Sequence, residues 1–114
     1  MWNSNTRSKT LKRKIKKSEK IFHAFSDVQF KCVESLEEND EVVEIRLNLK
    51  LIGLEFGYNY TSDFVCVKSD GKLMIRECVL RKNLLKSTTA KLLDASRNYW
   101  LARGNKDWGI VIDV

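Results

Sequence analysis

From Val43 to Leu51 the chain alternates apolar and polar residues without a break: Val43, Ile45, Leu47, Leu49 and Leu51 stand against Glu44, Arg46, Asn48 and Lys50. Successive side chains of an extended strand point to opposite faces, so this run is a strand with one face to bury and one to wet. It cannot bury that face alone. It needs neighbouring strands and a covering layer, and the rest of the 114 residues must supply both. A chain of this length buries roughly two-thirds of its unfolded surface, enough for one modest core and no second domain.

The flanking patterns supply those layers. A segment from Ser18 to Glu38 has helical spacing, with Ile21, Phe25, Val28, Cys32, Ser35 and Leu36 on one stripe. Gly53 and Gly57 mark a bend after the alternating run. Tyr58 to Val67 is aromatic and β-branched, as strands are, and Ser69-Asp70-Gly71 follows; an Asp-Gly pair between two such runs predicts a type I′ hairpin turn. Leu73 to Leu80 is the returning strand. Helical spacing resumes from Thr88 to Arg103, with Leu92, Ala95 or Ser96, Tyr99 and Arg103 aligned and Gly104 placed to end the helix. Trp108 to Ile112 is a last short strand. The expected order is α-β-β-β-α-β, an α/β domain with a central mixed sheet flanked by helices.

Charge divides the chain into two parts. Residues 1–20 carry Arg7, Lys9, Lys12, Arg13, Lys14, Lys16, Lys17 and Lys20 against Glu19 alone, a net of +7, so the other 94 residues sum to −1 of the total +6. We read residues 1–17 as a basic arm and 18–114 as the folded domain. A near-neutral body with a cationic arm fits a polyanion, and nucleic acid before membrane, because the arm has few bulky apolar residues to insert into lipid. A solubilising tail is the plainer alternative. No apolar run approaches the length of a membrane span and the leader lacks the pattern of a secretory signal, so a cytoplasmic location is expected. Cys32, Cys66 and Cys78, with no Cys-x-x-Cys pair and a single histidine, suggest small buried residues more than a disulfide framework or a zinc site.

The residues with most chemical content lie on the expected hairpin. Asp63 is in one strand and Glu77 in the next, so pairing brings two carboxylates together. Two acids held close repel unless a divalent cation lies between them, and oxygen ligands suit Mg²⁺ or Mn²⁺. Parity puts Leu73, Ile75, Glu77, Val79 and Arg81 on one face and Met74, Arg76, Cys78 and Leu80 on the other. Glu77 thus interrupts an apolar face. The competing reading is a surface glutamate paired with Arg76, Arg81 or Lys82. Tyr58, Tyr60, Phe64, Tyr99, Trp100 and Trp108 read as core aromatics.

The sequence also resembles a known family. Thr61-Ser62-Asp63-Phe64, the short hairpin, the strand bearing Glu77, the segment Lys91-Leu92-Leu93-Asp94-Ala95-Ser96-Arg97-Asn98-Tyr99-Trp100, and Trp108-Gly109-Ile110-Val111 look like the nuclease domain of TnsA, the endonuclease subunit of heteromeric transposases. The resemblance extends from about Ser26 to Val114. That family belongs to the PD-(D/E)XK nucleases, and the resemblance implies their αβββαβ restriction-endonuclease-like core. It also implies metal-dependent DNA cleavage for a mobile element, with a transposase or other element proteins as partners. Asp63 falls on the family's metal aspartate and Glu77 on the acidic position of its (D/E/Q)-x-K motif. Val79 occupies the place of the motif lysine, and Gln29 that of a helix glutamate.

Val79 cannot donate a charge-assisted hydrogen bond. Three readings follow. The cation has moved, to Arg81 on the face of Glu77 or to Lys91 at the start of the second helix, with Arg81 acting as a phosphate clamp because its pKa is too high for a base. Or the site binds metal and DNA but cuts slowly, or only with a partner. Or the domain is an inactive nuclease fold kept for DNA binding or protein interaction. In the first two, Asp63 and Glu77 are metal ligands and Gln29 is a neutral third ligand through its amide oxygen. The eight arm cations would contact phosphates, and cutting both strands of a duplex would call for a homodimer.

Overall fold

The computed structural model describes residues 11–14, 17, 21–24, 27–52 and 60–112. Arg7, Lys9, Lys16 and Lys20 lie outside the described residues, as do Gly53, Gly57 and Tyr58.

The alternating run forms a strand within a four-stranded sheet, but it does not bury a single face: Ile45 and Leu47 enter one core and Leu49 and Leu51 the other, with Asn48 between them at φ 49°. In chain order the elements are β1 (Leu11–Lys14), β2 (Ile21–Ala24), α1 (Asp27–Glu38), β3 (Val42–Lys50), β4 (Thr61–Lys68), β5 (Leu73–Val79), α2 (Ser87–Ala102) and β6 (Trp108–Ile112), with a 3-10 turn at Arg81–Asn83. β3, β4, β5 and β6 lie side by side in that order. β3 pairs antiparallel with β4 and β4 antiparallel with β5, whereas β6, reached through α2, runs parallel to β5. Among the described residues the protein is therefore α/β, with a mixed sheet and two α-helices.

Two expectations about the N-terminal region are corrected. The helix expected from Ser18 begins at Asp27, and Ile21–Ala24 is a strand paired antiparallel with Leu11–Lys14, inside the expected arm. The Ile21 and Phe25 spacing fits a helix stripe, but a four-residue run is too short for period alone to separate helix from strand. Backbone pairing with Leu11–Lys14 decides it.

The two faces of the sheet carry separate cores. On one, Val28, Cys32, Val33 and Leu36 of α1 pack with Ile45, Leu47, Phe64, Cys66, Met74 and Cys78. On the other, Trp100 of α2 packs with Leu51, Tyr60, Val65 and Ile75, flanked by Leu92, Tyr99 and Trp108. The parity expected for β5 holds, since Leu73 and Ile75 face α2 while Met74 and Cys78 face α1. All three cysteines are free and buried.

Local chemistry shapes the ends of these elements. Val43, expected on the buried face of β3, is 55% exposed and Val42 takes its place, because a bulge between Val42 and Glu44 shifts the register. The β4–β5 turn is not type I′. Gly71 alone has positive φ, at 82°, its N–H bonds the Lys68 carbonyl, and the Asp70 carboxylate accepts from Lys72 N–H. This is a three-residue loop with glycine at the left-handed position. Gly104, at φ 80°, closes α2 as expected, with Gly104 N–H bonded to Leu101 O and Asn105 N–H to Trp100 O.

Candidate functional site

Strands β4 and β5 pair from Val67 and Leu73 as far as Phe64 and Arg76. Asp63 and Glu77 are the next residues on each strand, and there their side chains take over from the ladder. Glu77 Oε1 accepts the Asp63 backbone N–H at 2.7 Å, and Asp63 Oδ2 accepts the Cys78 N–H at 2.8 Å. Each carboxylate is thereby fixed to the opposite strand. Sequence pairing expected the two acids to meet, and the structure does bring them together.

It also places them deeper than expected. Glu77 is fully buried and Asp63 is 2% exposed. The surface pairing considered for Glu77 is excluded, and Arg76 instead bonds Asp107 at 2.9 Å on the other side of β5. The other Glu77 oxygen, Oε2, accepts from Tyr60 Oη at 2.6 Å, Ser96 Oγ at 2.7 Å and Ser62 Oγ at 3.1 Å. Those two serines are themselves held by indoles: Trp100 Nε1 donates to Ser62 Oγ and Trp108 Nε1 to Ser96 Oγ, each at 3.0 Å. Donors from Tyr60, β4 and α2 thus converge on one carboxylate, with the β6 indole one step behind, which satisfies the requirement that a buried acid be hydrogen-bonded.

The electrostatics follow from burial. Burial, reinforced by the neighbouring Glu77, pushes the Asp63 carboxyl up to about 6, while the Cys78 N–H pulls the other way. Burial and then Glu77 raise the Tyr60 phenol far above its ordinary range, so it remains a donor. Asp107, away from the site, is held below the usual carboxylate range: partial burial opposes this, but hydrogen bonds from Arg76 and Lys68 prevail.

The remaining expected residues are dispersed. Val79 is 3% exposed, so the place of the motif lysine is sealed. Arg81, in the 3-10 turn after β5, and Lys91, on α2, are both exposed. Gln29 is buried on α1, the helix covering the sheet face away from α2. Of the arm cations, Lys12, Arg13 and Lys14 lie on β1. Lys17 has a structural task, its ammonium donating to Asn39 O at 2.8 Å and Leu36 O at 3.2 Å at the end of α1.

A hard cation here would have two carboxylates to draw on, both buried. Among the described residues Oε2 of Glu77 accepts from three hydroxyls and Oε1 from one N–H. Two carboxylates are a sufficient protein contribution for Mg²⁺, which keeps several waters. Among the described residues no group of three or more His, Cys, Asp or Glu side chains is placed to share a metal. Sequence reasoning missed Ser62, Ser96 and the polar ends of Tyr60, Trp100 and Trp108. The one signal in the sequence was Ser96, a hydroxyl on the buried line of α2.

No protein-family model and no curated protein matches the chain. Among the described residues no helix is long and apolar enough to cross a membrane.

Proposed function

We propose that this protein is a divalent-metal-dependent DNA endonuclease of a mobile element, similar to the TnsA type and built on a PD-(D/E)XK-like αβββαβ core. The observation that carries this reading is the pair Asp63 and Glu77, interlocked where β4 and β5 cease to pair. Asp63 and Oε1 of Glu77 would hold Mg²⁺ or Mn²⁺. Such an ion supplies an activated water and neutralises charge on a phosphodiester. The protein's own contribution is rigidity: the hydroxyls of Tyr60, Ser62 and Ser96 fix the Glu77 plane, so Oε1 keeps one direction. Arg81, in the turn after β5, and Lys91, on α2, both exposed, would stand in for the missing lysine by holding phosphate.

A second reading has its own support. The four donors on Glu77 and the sealed Val79 suit an inactive nuclease fold that binds DNA or another protein. Nicking of supercoiled plasmid over a range of Mg²⁺ and Mn²⁺ separates the two. The endonuclease reading expects metal-dependent nicking by wild type and at least a hundredfold less by Asp63→Asn. Absence of nicking by both wild type and Val79→Lys, the variant that restores the motif, selects the binding protein.

A further inference from the structure

The turn between β5 and α2 combines features that neither core uses. Arg81, Lys82, Lys86 and Lys91 are all exposed, and no acidic residue occurs between Glu77 and Asp94. Within this cationic stretch Leu85 is 99% exposed, the most exposed large hydrophobic side chain among the described residues. The turn is ordered by its own backbone, with Asn83 N–H bonded to Leu80 O, Leu84 N–H to Arg81 O and Lys86 N–H to Asn83 O. Leu85 is therefore presented to water by a built turn. Because the turn leaves the C-terminal end of β5, it lies at the end of the sheet where Glu77 and Asp63 meet.

We infer that this turn is a duplex-DNA contact, with Lys82 and Lys86 on phosphates and Leu85 wedged against a base step in the minor groove. This rests on the DNA reading above and deepens it. The chemistry is that of architectural minor-groove proteins, which flank an apolar wedge with cations so that unstacking is offset by backbone contacts. Charge complementarity favours DNA over a protein partner. An exposed leucine in a stretch with four exposed cations and no acid in sequence between Glu77 and Asp94 matches an anionic rod with an apolar base edge.

The test uses the full chain and a fluorescent duplex carrying 2-aminopurine at a TA step. Wild type should bind with a steep salt dependence and raise the 2-aminopurine signal as the step unstacks. Lys82→Ala/Lys86→Ala should flatten the slope of log affinity against log salt by about 2, one for each phosphate that the lysines neutralise. Leu85→Ala should leave that slope unchanged, weaken affinity about tenfold and abolish the unstacking signal. All three positions are exposed, so folding is not at stake, and circular dichroism checks it. If wild type binds duplex DNA and neither variant differs from it, the turn is not the contact although the DNA reading stands. If wild type binds no DNA at low salt, both fall.

Discussion

Glu77 shows why a single residue can be read two ways from sequence. As an acid interrupting the apolar face of β5 it signals either a site or an exposed strand end, and its burial excludes the second. The collar of hydroxyls makes a testable commitment. Ser96→Ala removes a buried hydrogen bond to Glu77 and leaves the Trp108 indole N–H without its partner, so it should lower unfolding stability by about 1–3 kcal/mol in urea titrations. Asp63 makes another. Its pKa is raised in the folded state, to about 6, so the folded state holds the proton more tightly than the unfolded chain does. The associated stability is complete below the unfolded value near pH 4 and is lost as pH rises through about 6. In metal-free buffer the urea midpoint should fall across that window for wild type and stay flatter for Asp63→Asn, which keeps an acceptor for Cys78 N–H. The meeting of Asp63 and Glu77 was legible in the sequence because strand parity and a short turn fix it. The serine and indole donors were not, because Ser62 and Ser96 are common residues whose value depends on which carboxylate they face.

At the level of elements, pattern located β3, β4, β5, α2 and β6, though not the faces of β3, where Ile45 and Leu47 turn to α1 and Leu49 and Leu51 to α2. It failed where backbone geometry, and not side-chain burial, decides. β1 has one apolar residue among Leu11–Lys14, so it reads as solvated arm; its strand identity comes from pairing with β2. The bulge at Val42 and Glu44 is equally silent, since uninterrupted alternation gives no sign that one residue will be skipped. Lys17 links this region to α1. No basic residue occupies the last turn of that helix, and the Lys17 ammonium supplies the positive charge its carbonyls favour. Lys17→Ala should therefore reduce stability by about 1 kcal/mol, read from the urea midpoint, a cost a purely DNA-contacting lysine would not show.

Across the whole molecule, the arm and the domain are less separate than their charges suggest. The +7 of residues 1–20 includes a strand and a helix cap, so part of the basic segment belongs to the fold. The domain in turn carries its own cations, on the turn that leaves the Glu77 strand. One end of the sheet thus joins a buried acid pair to an exposed basic turn, and the proposed endonuclease reading has the first hold a metal and the second a phosphate backbone. The claim rests on the acid pair. Isothermal titration of the full chain with Mn²⁺ at pH 7.5 and at pH 5 tests it most directly. The account predicts one ion per chain at pH 7.5, weaker binding at pH 5 as Asp63 takes up its proton, and loss of binding in folded Asp63→Asn. Equal Mn²⁺ binding by wild type and Asp63→Asn, or none by wild type at pH 7.5, would contradict it.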